Sequence, residues 1–120
     1  VKEIFVFGSN YAGRHGKGAA LCAKRLHGAK YGIGEGIQGN SYGIPTKDEK
    51  LKTLPLSRIQ RHVTTFLEYA KEHPNMTFNV TPIGTGLAGY DHHQIAPMFK
   101  GHTSNVKVIK KWEKYLNLDD

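Results

Sequence analysis

Cysteine is almost absent from this chain, Cys22 standing alone among 120 residues. A lone cysteine excludes an internal disulfide, and without a signal-like apolar stretch it points to a reducing, cytoplasmic setting. No apolar run is long enough to span a membrane, so no membrane partner is expected. Acidic residues are scarce as well, 10 against 17 lysines and arginines, which leaves a formal net charge of +7. That balance favours anionic partners, nucleotides and nucleic acids among them, and also aids solubility. A matched set of metal ligands is missing too. Asp91-His92-His93 invites a metal reading, but adjacent histidines on a helix point in different directions and no complementary ligands are spelled elsewhere. Neither a metal nor a cofactor is expected.

Two nucleotide fingerprints fail on spelling. A P-loop ending at Gly16-Lys17-Gly18 needs a glycine where Tyr11 stands and a hydroxyl residue where Gly18 stands. A dinucleotide fingerprint beginning at Gly16 needs its third glycine at Leu21. Gly34-Glu35-Gly36-Ile37-Gln38-Gly39 does match G-x-G-x-x-G, yet it lacks the preceding strand and following helix that give the pattern its chemistry. It reads as a mobile flap.

What the chain has is glycine. Its 14 glycines make about 12% of the residues against a typical value of roughly 7%, and most of them precede Asp48. Between Phe5 and Ala20 an apolar strand runs into Gly8-Ser9-Asn10, then Arg14-His15-Gly16-Lys17-Gly18, then a helix start. Glycines let backbone N–H groups approach an anion, and a helix beginning near Gly18 presents unpaired donors and a positive dipole end. The segment suits a phosphate ester.

At 120 residues the chain is expected to form one domain. Ile4-Phe5-Val6-Phe7 reads as a central strand over Glu3 to Phe7, covered on both faces. A helix from Gly18 to Ala29 follows, with Ala19, Ala20, Ala23 and Leu26 near one face and Cys22 as a packed small residue. Ser41 to Pro45 is a short strand, and Ser57-Arg58-Ile59-Gln60 has the spelling of a capping box. Ile59, Val63, Phe66, Leu67 and Ala70 share a face of the helix it opens, which stops at Pro74. Phe78 to Ile83 is a strand, a short helix begins near Asp91 and breaks at Pro97, and a strand over Val106 to Ile109 precedes an amphipathic helix over Lys110 to Leu116. The order β-α-β-α-β-α-β specifies a three-layer α/β/α sandwich with a small mixed, mostly parallel sheet. Ligands of such sheets sit beyond the carboxyl ends of the strands. The Gly8 to Gly18 loop, the Thr46-Lys47 turn and the Gly84 to Tyr90 loop all leave from there.

Those three segments resemble the macro domain, a family that binds ADP-ribose and related nucleotide derivatives, and the likeness covers roughly Ile4 to Phe99. Ser9-Asn10 with Gly16-Lys17-Gly18-Ala19-Ala20 is similar to its first ligand loop. Ile83-Gly84-Thr85-Gly86-Leu87-Ala88-Gly89-Tyr90 is similar to its second, in which glycine amides wrap the diphosphate and an aromatic covers the distal ribose. Tyr42-Gly43-Ile44-Pro45-Thr46-Lys47 is most similar to the terminal ADP-ribose protein glycohydrolase branch. The resemblance implies Lys47 as a nucleophile at the ribose C1″, with an acid assisting from the second loop. That acidic position falls on Ala88, so the resemblance leaves the assisting role to Asp91, three residues later. The aspartate that reads the adenine amino group in many macro domains would lie upstream of this sequence, so no residue is assigned to adenine.

The implied ligand is ADP-ribose or a related nucleotide or phosphoribosyl derivative, free or on a macromolecule. Hydrolysis would make the chain an ADP-ribosyl glycohydrolase or an ADP-ribose 1″-phosphate phosphatase. Ser9, His15, Gly16, Lys17, Gly18, Gly84, Thr85, Gly86, Leu87 and Gly89 would line the pocket, with Asn10 and Tyr90 at the distal ribose. Read from the residues alone, Lys47 is also a cation on phosphate, Asn10 a partner for a ribose hydroxyl or for a water attacking C1″ as well as a turn residue, His15 a general base or phosphate contact, and Asp91 a helix cap with Gln94. A reading from another class is a nucleic-acid-binding surface made by Arg14, Lys17, Lys24, Arg25, Arg58 and Arg61.

Overall fold

Alternation along the first strand decides the layering. In the computed structural model, which describes residues 2–116, β1 runs from Lys2 to Asn10. Ile4 and Val6 point to one side and are fully buried against α2 (Leu56–Glu72). Phe7 and the half-buried Phe5 point to the other, against Ala20 and Ala23 of α1 (Gly18–Leu26). The uninterrupted apolar run is that of a strand covered on both faces. The remaining elements are β2 (Gly36–Gln38), β3 (Ser41–Lys47), β4 (Met76–Val80), α3 (His92–Ile95), β5 (Val106–Lys107) and α4 (Lys110–Leu116), with a 3₁₀ turn over Ala96–Phe99.

The sheet order is β2-β3-β1-β4-β5. β3, β1, β4 and β5 run parallel, and β2 is antiparallel at the edge. Together with the helices this is the expected three-layer sandwich. The crossover from β1 to β3 moves one way across the sheet and that from β3 to β4 moves back past β1. Crossovers of one hand then place α1 and α2 on opposite faces.

Several local expectations are corrected. The glycine-rich match at Gly34 to Gly39 is no free flap, because Gly36–Gln38 pairs with Ser41–Gly43 as an edge strand. Gly39 makes this hairpin, with φ +59 at the first position of a two-residue turn and Gly28 packed where a Cβ would stand. The capping box at Ser57 does not form. Pro55, extended at φ −64 and ψ 154, is the N-cap, and its carbonyl accepts the N–H groups of Arg58 and Ile59 at 3.0 and 3.2 Å. The helix therefore starts two residues earlier than a Ser57 cap implies, with Ser57 inside its first turn. Leu26 is 73% exposed, since at about 100° per residue it lies roughly 60° beyond Ala23, past the arc that meets the sheet. α1 ends at Leu26 rather than Ala29, because Gly28 takes φ +76, outside the helical region. Cys22 is half-buried.

Ile59, Val63, Phe66 and Ala70 of α2 are all fully buried, with Leu67 packed at their margin. The amide nitrogen of Asn105 donates to the carbonyls of Ala70, His73 and Met76 at 2.9, 3.1 and 3.1 Å. One side chain thus ties the end of α2 to the start of β4 from across the fold. Trp112 of α4, fully buried, donates its indole N–H to His92 Nδ1 at 2.8 Å. β4 ends at Val80, three residues early: the Thr81 N–H makes the last bond to β1, at the Val6 carbonyl that the Thr81 hydroxyl also reaches, and Pro82 has no N–H with which to continue. β5 is likewise shorter than its sequence expectation. No helix among the described residues is long and apolar enough to cross a membrane.

Candidate functional site

After β1 the chain turns toward α1 on one face, and after β4 toward α3 on the other. Adjacent strands whose connections depart in opposite directions leave a crevice at their carboxyl ends. A cleft of about 710 Å³ lies there, within the range that takes a small organic ligand. Its floor is Gly8, Ser9 and Asn10 of β1 with Thr46 and Lys47 of β3. Its walls are the segments 16–20 and 81–88, and Arg14, Tyr31 and Leu51 complete the lining.

Backbone donors dominate both walls. On the first, the N–H groups of Gly16, Lys17, Gly18, Ala19 and Ala20 find no acceptor among the described residues, and no side chain caps α1. On the second, the N–H groups of Gly84, Gly86, Leu87 and Ala88 are likewise unaccepted. Added Cβ atoms at Gly16 and Gly86 would meet nothing within 4 Å, so both backbones are open on that side. Gly84 is required for a different reason, combining φ +74 with Ile95 packed 3.0 Å from where a Cβ would lie. Arg14, Lys17 and Lys47 line the cleft, and its lining includes no aspartate, glutamate or histidine. Convergent unpaired amides, a helix N-terminus and three cations make a chemistry suited to a polyanion.

The expected residues divide into those brought together and those taken elsewhere. Ser9, Asn10, Gly16, Lys17, Gly18, Lys47, Gly84, Thr85, Gly86 and Leu87 all line the cleft. Asn10 also closes its own loop, donating to the Arg14 carbonyl and accepting the Arg14 N–H, both at 2.9 Å. The Thr85 N–H and hydroxyl turn onto the Pro82 carbonyl, so its amide is not free for a phosphate. The Lys47 carbonyl takes the Tyr11 N–H at 3.1 Å. Asp48 faces away into its own turn, accepting the N–H groups of Lys50 and Lys52.

Four assignments are corrected. His15 is fully buried, not a base or phosphate contact at the cleft. Its Nε2 bonds the Ile33 carbonyl at 3.0 Å, its ring meets Phe7 edge-on, and its Nδ1 has no partner among the described residues. A carbonyl only accepts, so Nε2 carries the proton. Tyr90 packs on the core and donates to the Leu54 carbonyl at 2.7 Å, outside the cleft lining. Gly89 is absent from that lining too, its N–H held by the Gly86 carbonyl at 3.0 Å. Asp91 caps α3, forming the capping box with Gln94 whose side chain accepts the Asp91 N–H at 2.9 Å. It stands outside the cleft lining, and its catalytic assignment falls with that position. The six-residue basic surface is divided as well, because Arg58 and Arg61 ride on α2 while Arg14, Lys17, Lys24 and Arg25 lie on the α1 side.

Sequence reasoning missed Tyr31, which lines the cleft at 62% exposure; an aromatic set among glycines was the available signal. It also missed a relay joining three distant segments. The Glu35 carboxylate meets His62 Nδ1 at 2.7 Å, and His62 Nε2 bonds the Tyr11 hydroxyl at 2.8 Å. No local pattern announces that contact, since its partners are 27 and 51 residues apart.

No family model matches this chain, and no curated protein matches it. A solved structure, described as that of a protein of unknown function from Bacteroides thetaiotaomicron, is similar over 89% of this chain and 86% of that chain, with 15% identity and a TM-score of 0.63. Likeness at that identity is one of fold, and it places the chain in the α/β sandwich architecture described above.

Proposed function

We propose that this chain binds ADP-ribose, or a closely related nucleotide or phosphoribosyl derivative, in the cleft between β1 and β4, as the resemblance to macro domains implies. The observation that carries the reading is the meeting of two groups of unaccepted backbone N–H donors in one cleft lined by Arg14, Lys17 and Lys47 and by no carboxylate. In this reading the amides of Gly16 to Ala20 and of Gly84, Gly86, Leu87 and Ala88 hold the phosphates. Ser9 and Asn10 border the sugar, and Lys47 is a cation on the phosphate. Binding, rather than hydrolysis, is the proposed activity, because Lys47 has no acid or imidazole beside it in the lining. General acid–base catalysis requires such a group within hydrogen-bond reach or one water away.

Calorimetry with ADP-ribose at moderate salt tests the reading. Saturable binding that disappears in Gly86→Glu is expected. A chain that ignores ADP-ribose but binds nucleic acid with a steep salt dependence would overturn it. Turnover of an ADP-ribosylated protein by wild type but not by Lys47→Ala would restore the lysine mechanism.

A further inference from the structure

Tyr31 is exposed yet firmly held. It sits at the tip of a turn closed by the Ile33 N–H on the Lys30 carbonyl at 3.1 Å, with Gly32 at φ +97 in the third position, where a type II turn needs glycine. Gln38, 3% exposed, clamps both ends of this turn. Its side-chain oxygen accepts the Lys30 N–H at 2.8 Å and its amide nitrogen donates to the Ile33 carbonyl at 3.1 Å. His15 donates to that same carbonyl from the other side, and the Gly32 N–H reaches the Gly13 carbonyl at 2.9 Å. Behind the turn the backbones are in contact, for a Cβ on Gly13 would fall 2.3 Å from Gly32. Two buried polar side chains and a glycine–glycine contact therefore fix a turn whose tip projects an aromatic ring to the mouth of the cleft.

Scattered exposed apolar residues are ordinary, but these are not scattered. Leu51 and Leu87, 43% and 69% exposed, line the same cleft. Its interior offers amides and cations while its mouth offers an aromatic ring and two aliphatic side chains. The Lys24 ammonium lies 5.3 Å from the Tyr31 ring centroid, adding positive charge at that mouth. A ligand that satisfies both parts carries phosphate at one end and a planar apolar group at the other.

We infer that Tyr31 is the stacking platform for the aromatic base of the bound nucleotide. This inference rests on the phosphate-binding reading of the cleft and adds the part of the ligand that reading leaves unassigned. Stacking accepts any base with a π-face, and the only hydrogen-bonding groups that the side chains named at the mouth offer to a base edge are the tyrosine hydroxyl and the Lys24 ammonium on its flexible stem. The ligand class is thus nucleoside diphosphate sugars selected by phosphate and sugar, with tolerance at the base. Pre-organisation of the turn limits the ordering cost that an exposed loop would otherwise add to binding.

The test titrates wild type, Tyr31→Ala and Tyr31→Trp with ADP-ribose, with its guanine analogue, and with ribose 5-phosphate as a base-free probe. Base–aromatic stacking predicts a loss of about tenfold or more for ADP-ribose in Tyr31→Ala. Ribose 5-phosphate affinity should be unchanged, the guanine analogue should bind like ADP-ribose, and Tyr31→Trp should restore binding. Unchanged ADP-ribose affinity in Tyr31→Ala would overturn the stacking role and leave the phosphate reading standing. An equal loss for ADP-ribose and ribose 5-phosphate would also overturn it. Failure of wild type to bind either ligand would bring down the phosphate reading and this inference together. Thermal unfolding of Tyr31→Ala should match wild type, since the ring projects from the turn and none of the hydrogen bonds that fix it involve the side chain.

Discussion

Replacing Gly34 with alanine adds one methyl group and should destabilise the fold by as much as many core truncations do. The residue does not occupy the left-handed region, so contact alone decides the outcome. Its Cβ would fall 2.2 Å from the Asn10 carbonyl oxygen and 3.1 Å from that of Tyr11. Ordinary contact therefore requires the segment and the end of β1 to part by about an ångström. Such overpacking alone costs roughly 1–3 kcal/mol. The displaced segment also carries the Gly32–Gly13, His15–Ile33 and Glu35–His62 hydrogen bonds. Losing one of them adds about 1 kcal/mol, for a total of roughly 2–4 kcal/mol. For a chain of this size that lowers Tm by roughly 8–16 °C. Gly16→Ala is the matched control, because a Cβ there meets nothing within 4 Å and no positive φ opposes it. It should be neutral or raise stability by about 0.4–1 kcal/mol through the unfolded state. Calorimetric scans of the two variants decide the matter. A Gly34→Ala protein that melts with wild type would refute the packing of the glycine-rich segment against β1, and with it the placement of Tyr31 at the cleft.

Other outcomes follow from single groups. Asn105→Ala removes the side-chain donor shared by the Ala70, His73 and Met76 carbonyls between α2 and β4 and should cost about 1–3 kcal/mol in urea unfolding, whereas an effect below 0.5 kcal/mol would count against that tie. Burial first, then the nearby Glu35 and Tyr69, hold the Tyr42 hydroxyl well above its ordinary value of 10.0. The unfolded chain ionises there first, so the contribution is intact below that pH and is lost as pH rises through the folded-state value. Unfolding free energy should accordingly decline in strong alkali, and Tyr42→Phe should flatten the decline; an identical profile in the variant would refute this. Glu35→Gln with His62→Gln in a double-mutant cycle should give a coupling of about 0.5–1 kcal/mol, given partial exposure, and additive effects would show that the pair carries nothing.

Much of the architecture could be read from patterning, because β1 and α2 bury whole faces and their apolar periods are unbroken. Ile4 to Phe7 announced a central strand, and Ile59, Val63, Phe66 and Ala70 announced the helix that covers it. β2 was hidden, since Gly36-Ile37-Gln38 is short and carries none of the alternation a longer strand shows. Its turn depends on a positive φ at Gly39 that composition alone does not fix. The cleft was legible as a backbone path, in which Gly16 to Ala20 and Gly84 to Ala88 do meet. Side-chain destinations were not. His15 turned inward to hold a turn, Tyr90 found the Leu54 carbonyl and Asp91 capped α3, each satisfied by a partner remote from its motif. Tyr31 is the converse case, where the ring's position follows from Gln38 and His15, neither of which has a fixed spacing from it.

In the proposed complex the amides of Gly16 to Ala20 and of Gly84, Gly86, Leu87 and Ala88 close on one phosphate-bearing ligand. Titrating ¹⁵N-labelled protein with ADP-ribose and following the amide resonances tests it most directly. The prediction is saturable shifts concentrated in those two segments, with Arg58 and Arg61 on α2 unmoved. Shifts confined to α2, shifts in one segment without the other, or none at all would contradict it.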